Sequence, residues 1–126
     1  LQSHAGLIDL LPALPSAWPT GRVAGLRARG GVEVDLEWSG GAPTRVVLRS
    51  RLGGVCRLRS AVPLRLASGG TSRPARGPSP NPFFLVHPVA PPLRAPGVIV
   101  APAPALPAHV FDVDTTPGRE VVFTAP

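Results

Sequence analysis

The chain has 126 residues, room for one domain with a core of modest size and not for two. Its weakly polar stretch Ala95 to Ala108 is cut by Pro96, Pro102, Pro104 and Pro107 and falls short of the ~20 apolar residues a membrane helix needs, so no membrane partner is expected. The formal charge of +6 is carried by arginine without a single lysine, a usage that fits an Arg-, Ala-, Gly- and Pro-rich genome better than a phosphate footprint, and no nucleic-acid partner is expected.

Leu1, not methionine, opens the chain and no charged-then-apolar leader follows, so it reads as a piece of a longer protein. Residues Leu1 to Leu14 are rich in leucine, but Pro12 and Pro15 stop any helix running through them, which suggests a helix end entering a connector. Ser16 to Gly21 then reads as a turn anchored by Trp18. In Val32 to Trp38 apolar and charged residues alternate without a break. This puts Val32, Val34, Leu36 and Trp38 on one face and Glu33, Asp35 and Glu37 on the other, the pattern of a half-buried antiparallel strand. Ser39-Gly40-Gly41 turns the chain into a second strand, Thr44 to Ser50, and Val23 to Arg29 is expected to pair alongside. Val55 to Leu66 reads as one or two more strands.

Fourteen of the eighteen prolines fall between Pro63 and Pro126, and proline suits neither a helix interior nor a central strand. Ala67 to Pro82 is therefore read as a long loop and Pro88 to Pro107 as extended polyproline-like backbone. Phe83 to His87 and Val98 to Val100 are edge-strand candidates. Val110 to Val113 and Glu120 to Thr124, around Thr116-Pro117-Gly118, read as a closing hairpin. Seven to nine short strands and no long helix predict an all-β protein: an antiparallel β-sandwich with a Pro-rich irregular second half, preceded by a short connector.

Catalytic constellations are hard to assemble from these residues. Ser3, His4 and Asp9 have the residue types of a triad but lack a nucleophile-elbow motif. His4, His87, His109 and Cys56 fall into no zinc-ligand spacing, and no metal or cofactor is expected. Cys56 reads as a small buried hydrophobe. Glu33, Asp35 and Glu37 stand about 7 Å apart along their strand, near the spacing of an inverting glycosidase's carboxylates, yet any acidic strand face has that spacing and no enclosing pocket is indicated. Gly30-Gly31 precedes a strand and opens no helix, so it is a turn and not a phosphate loop. Trp18 is the one plausible platform for a sugar ring, with core or interdomain contact the favoured role.

One series of residues resembles a known family. Leu1-Gln-Ser-His4, Ile8-Asp-Leu-Leu-Pro-Ala-Leu-Pro15, Ala17-Trp-Pro19, Gly25-Leu-Arg-Ala-Arg-Gly-Gly31 and Glu33-Val-Asp35 are similar to the junction between the catalytic barrel and the C-terminal domain of glycoside hydrolase family 95. Ser50-Arg-Leu-Gly-Gly54, Cys56-Arg-Leu-Arg-Ser60 and Asn81-Pro-Phe83 resemble the same region, while Pro88 to Pro107 matches poorly. The resemblance implies an inverting α-L-fucosidase, periplasmic or extracellular when whole, made of an N-terminal β-domain, an (α/α)₆ barrel and a C-terminal β-domain. Residues 1–20 would then be the barrel's end and connector, and 21–126 the C-terminal domain. The family's catalytic residues lie in the barrel and have no counterpart here. Its catalytic barrel would be the partner and a fucosylated glycan the substrate of the full enzyme. Gln2, Ser3, His4 and Trp18 are candidates for barrel contact or the active-site rim. The reading from another class is a free-standing β-sandwich module that binds carbohydrate or an anionic ligand.

Overall fold

The computed structural model describes residues 1–102 and 108–126. Within them are nine strands: β1 (Ile8–Asp9), β2 (Gly21–Ala28), β3 (Val32–Ser39), β4 (Ala42–Ser50), β5 (Gly54–Ser60), β6 (Arg65–Ser68), β7 (Thr71–Pro74), β8 (His109–Thr115) and β9 (Glu120–Thr124). They form two sheets, one in the order β2-β3-β4-β9-β6 and the other β1-β5-β8-β7. All pairings are antiparallel except that of β1 with β5. The protein is thus an all-β sandwich.

Alternation in the sequence decides which face turns inward. Val32, Val34 and Leu36 of β3, Val46 and Leu48 of β4, and Val121 and Phe123 of β9 meet Cys56 and Leu58 of β5 and Val113 of β8 in one buried cluster. Phe123 and Phe111 cross this core with ring centroids 5.2 Å apart. A contribution from the first ten residues completes it. Ile8 and Leu10 are buried in the same cluster, held there because β1 pairs in parallel with Leu58 and Arg59 of β5. A helix end was expected in this segment. Gln2 instead forms a bridge with Asp9, and the pair exchanges two backbone hydrogen bonds of 3.1 and 2.7 Å.

The stretch Ala67 to Pro82 is not one long loop. β6 lies in the first sheet and β7 in the second, so the chain steps between the sheets at Gly69-Gly70. Both glycines have positive φ, and a Cβ would collide with the Glu120 carbonyl oxygen at Gly69 and with that of Asp114 at Gly70. The edge-strand candidates differ as well. Pro82–Phe84 is a 3₁₀ turn capped by Asn81, whose side chain accepts from the Phe83 N–H, and Val98 to Val100 is no strand. Prolines flank both segments, at Pro82 and Pro88 and at Pro96 and Pro102, and keep a ladder from extending past either end. Of the stretch read as polyproline-like, residues 103–107, with Pro104 and Pro107, lie outside the described residues. Asn81 also donates to the Val55 carbonyl at 2.7 Å, which closes part of the β5 edge that β1 leaves uncovered.

Charge is arranged outside this core with little left to chance. Each of the seven carboxylates meets an arginine, four of them on the outer face of the first sheet. There Arg49 reaches Asp35 and Glu120, each at 2.7 Å, while Arg27 pairs with Glu33 and Arg45 with Glu37. On the second sheet Arg57 and Asp112 form a two-pronged pair with side chains 9% and 7% exposed. The Arg57 guanidinium also donates to the carbonyls of Gly77 and Arg76 and so ties the loop after β7 to the sheet.

Candidate functional site

The three evenly spaced carboxylates of β3 lie on the ion-paired outer face. Burial disfavours the charge of Asp35, but the Gly25 N–H, which donates at 2.8 Å, and the Arg49 guanidinium outweigh it and hold the carboxyl below its ordinary value. A general acid needs the opposite shift. This arrangement has a testable consequence for stability. The folded value lies below the unfolded one, so ionised Asp35 stabilises the fold above pH ~4, and that contribution disappears as the pH falls through the depressed value. Asp35→Asn is expected to lower the urea midpoint at pH 7, with the gap to wild type closing below about pH 4. A gap that stays constant with pH would show that the charge is not what matters.

The residue types of a triad are not assembled either. The Asp9 carboxylate bonds Arg59, the Ser3 hydroxyl accepts from the Arg29 N–H at 3.2 Å, and His4 is exposed. Burial pushes the Cys56 thiol up to about 12, which leaves it protonated and unreactive. Among the described residues, no three of His, Cys, Asp and Glu gather as a metal-binding group.

What the structure does assemble is an apolar cleft of about 360 Å³ where the connector crosses from β1, the edge of one sheet, to β2, the edge of the other. Leu11, Leu14 and Trp18 form its connector wall, Val23, Leu26, Leu36 and Trp38 its sheet wall, and Leu1 and Gln2 complete the lining. The local geometry is fixed by tryptophan. Trp38 Nε1 donates to the Trp18 carbonyl at 2.9 Å, and its indole lies over Gly21, where a side chain would have no room. Pro15 accepts from the Trp18 N–H, so the connector turns tightly and leaves the Trp18 ring 60% exposed. Leu11, at φ 52°, is the one non-glycine residue with positive φ among the described residues. Its backbone turns at the point where the chain leaves β1 for the cleft.

Of the four candidate residues, Gln2 and Trp18 are brought together at this cleft, while Ser3 and His4 are not among its lining. Trp38, at the end of the apolar face of β3, is half-buried: it packs against the core cluster and also serves as a wall of the cleft.

The fold is thus that of a two-sheet β-sandwich domain whose entry segment shapes an apolar cleft. Residues 2–79 match the glycoside hydrolase family 95, C-terminal domain, and the chain belongs to that family. It is also 55% identical over 42 residues to alpha-L-fucosidase 2 of Arabidopsis thaliana, a stretch that covers 32% of this chain and 5% of that protein. The chain therefore corresponds to a small part of its relative's length. No helix among the described residues is long and apolar enough to cross a membrane.

Proposed function

We propose that this chain is the non-catalytic C-terminal domain of an α-L-fucosidase that hydrolyses terminal α-L-fucosides with inversion, and that it docks on the catalytic barrel through the Trp18 cleft. The observation that carries this reading is the cleft itself. An exposed indole beside Leu11, Leu14, Val23 and Leu26 is an apolar surface placed where a preceding domain would enter. Residues 1–20 then have two duties: Ile8 and Leu10 fill the sandwich core, while Leu11 to Trp18 present the contact surface. Gln2 lies at the rim of that contact, while Ser3, which accepts from the Arg29 N–H, and the exposed His4 stand outside it.

The test is hydrolysis of a chromogenic α-L-fucoside by the purified chain, alone and mixed with a family 95 barrel lacking its C-terminal domain. No activity alone and rescue on mixing are expected. Trp18→Ala is expected to abolish the rescue without moving the chain's own urea midpoint, because the indole is mostly in solvent. Hydrolysis by the chain alone would overturn the non-catalytic role. Affinity of the isolated chain for fucosylated glycans, lost in Trp18→Ala, would make it a carbohydrate-binding module instead.

A further inference from the structure

The connection from the 3₁₀ turn to β8 is far longer than the gap it crosses. Asn81 bonds Val55 near the start of β5, and His109 opens β8 opposite Ser60 at the end of β5. These points lie a strand's length apart, about 17 Å, yet residues 85–108 join them. The connection's described residues, 85–102 and 108, form no helix or strand, and long stretches of that kind are uncommon in compact domains unless they carry a function or stand outside the folded body. Among its described residues, large apolar side chains stand in solvent: Val89 is 87%, Leu93 102% and Ile99 95% exposed. The family match ends at residue 79 and gives the segment no role.

Between Leu85 and Ala95 the backbone has few conformations to choose from. Pro88, Pro91 and Pro92 hold φ at about −65°. His87, Ala90 and Ala95 each precede a proline and are driven to extended conformations. Leu85 already stands at φ −61°, ψ 127°. The run ends where the Val98 N–H donates to the Ala95 carbonyl at 3.3 Å around Pro96-Gly97, with Gly97 at φ 82°. In a left-handed polyproline helix of three residues per turn, Leu85, Pro88, Pro91 and Arg94 fall on one edge. Val86, Val89, Pro92 and Ala95 fall on the next. Two adjacent apolar edges thus end at a single cation, and each Asp and Glu side chain is paired with an arginine other than Arg94.

We propose that Leu85–Ala95 is a polyproline docking arm for a partner protein that presents a groove walled by aromatic side chains, with a carboxylate at the end that receives Arg94. The two proline-bearing edges fit between aromatic rings, and the stiff backbone loses little entropy when it is bound. Arg94 sets the direction of the arm in the groove. A lipid surface fits less well, because the run carries one arginine and no Trp, Tyr or Phe to anchor it.

The experiment titrates the 126-residue chain with an SH3 domain, used as a probe groove of that chemistry, and separately with phosphatidylglycerol vesicles. Saturable binding to the domain is expected, weakened at least about tenfold by Pro88→Ala with Pro91→Ala and by Arg94→Glu. The urea midpoint should stay unchanged, because the arm lies outside the core. No binding to the domain, binding indifferent to these substitutions, or binding to the vesicles alone would overturn the proposal.

Discussion

Replacing Asp112 by alanine is expected to destabilise the fold by about 3–5 kcal/mol, read as a drop in the urea midpoint with little change in slope. Asp112 and Arg57 face each other across the pairing of β8 with β5, and both side chains are almost out of solvent. The loss expected on removing the carboxylate is mostly the cost of leaving a guanidinium charge buried without its counterion, and only in part the value of the pair. The mirror experiment differs. Arg57→Met strands Asp112 and also frees the Gly77 and Arg76 carbonyls, so the loop after β7 should loosen as well. Combining Arg57→Met with Asp112→Leu should recover most of the Asp112→Ala loss, since no charge is then left alone. A loss under about 1 kcal/mol for Asp112→Ala would mean that water reaches the guanidinium.

Phe123→Ala is the second large effect, expected at about 3–5 kcal/mol. Phe123 is fully buried, lies opposite Val46 and Leu66 in its own sheet, and packs on Phe111 of the other. Truncation removes its transfer energy and leaves a cavity between two sheets whose hydrogen bonds resist collapse into it. Against a total stability of roughly 5–15 kcal/mol, such a loss leaves a measurable unfolded fraction at 37 °C. Val89→Ala, on the exposed arm, is the control and should stay within about 0.5 kcal/mol of wild type. Equal effects of the two substitutions would contradict the placement of the core.

The elements legible in the sequence are those whose burial follows their own alternation. Val32 to Trp38 and Thr44 to Ser50 declare an inward and an outward face without reference to any other segment. What was hidden depends on distant partners. Two residues of β1 have no strand signal of their own and exist because Leu58 and Arg59 offer an edge. β7 is exposed throughout and ends in proline, so neither hydrophobicity nor propensity marks it, and only pairing with β8 makes it a strand. The cleft was half legible. Trp18 and the connector leucines pointed to it, but its other wall joins Trp38 to Val23 and Leu26, which are three residues apart and share a face because the β2–β3 register shifts between them, which strict alternation does not foresee. The resemblance to glycosidase carboxylates on β3 dissolved for a related reason, since the arginines facing them come from β2 and β4 and have no fixed spacing from them in sequence.

The two sheets also differ in how far apart in the chain their parts are made. β2, β3 and β4 follow one another through short turns, whereas the second sheet draws on residues 8–9, 54–60, 71–74 and 109–115. Closing long loops delays contacts that are worth little until the ends meet. Folding should therefore begin in the β2–β4 meander and end with the capture of β1 by β5. Pulse-labelled hydrogen exchange would see the amides of β3 protected before those of β5, and the reverse order would exclude this route. An emerging chain then carries Ile8 and Leu10 unburied until Leu58 has been made, a period in which a chaperone or an already folded neighbour can occupy them first.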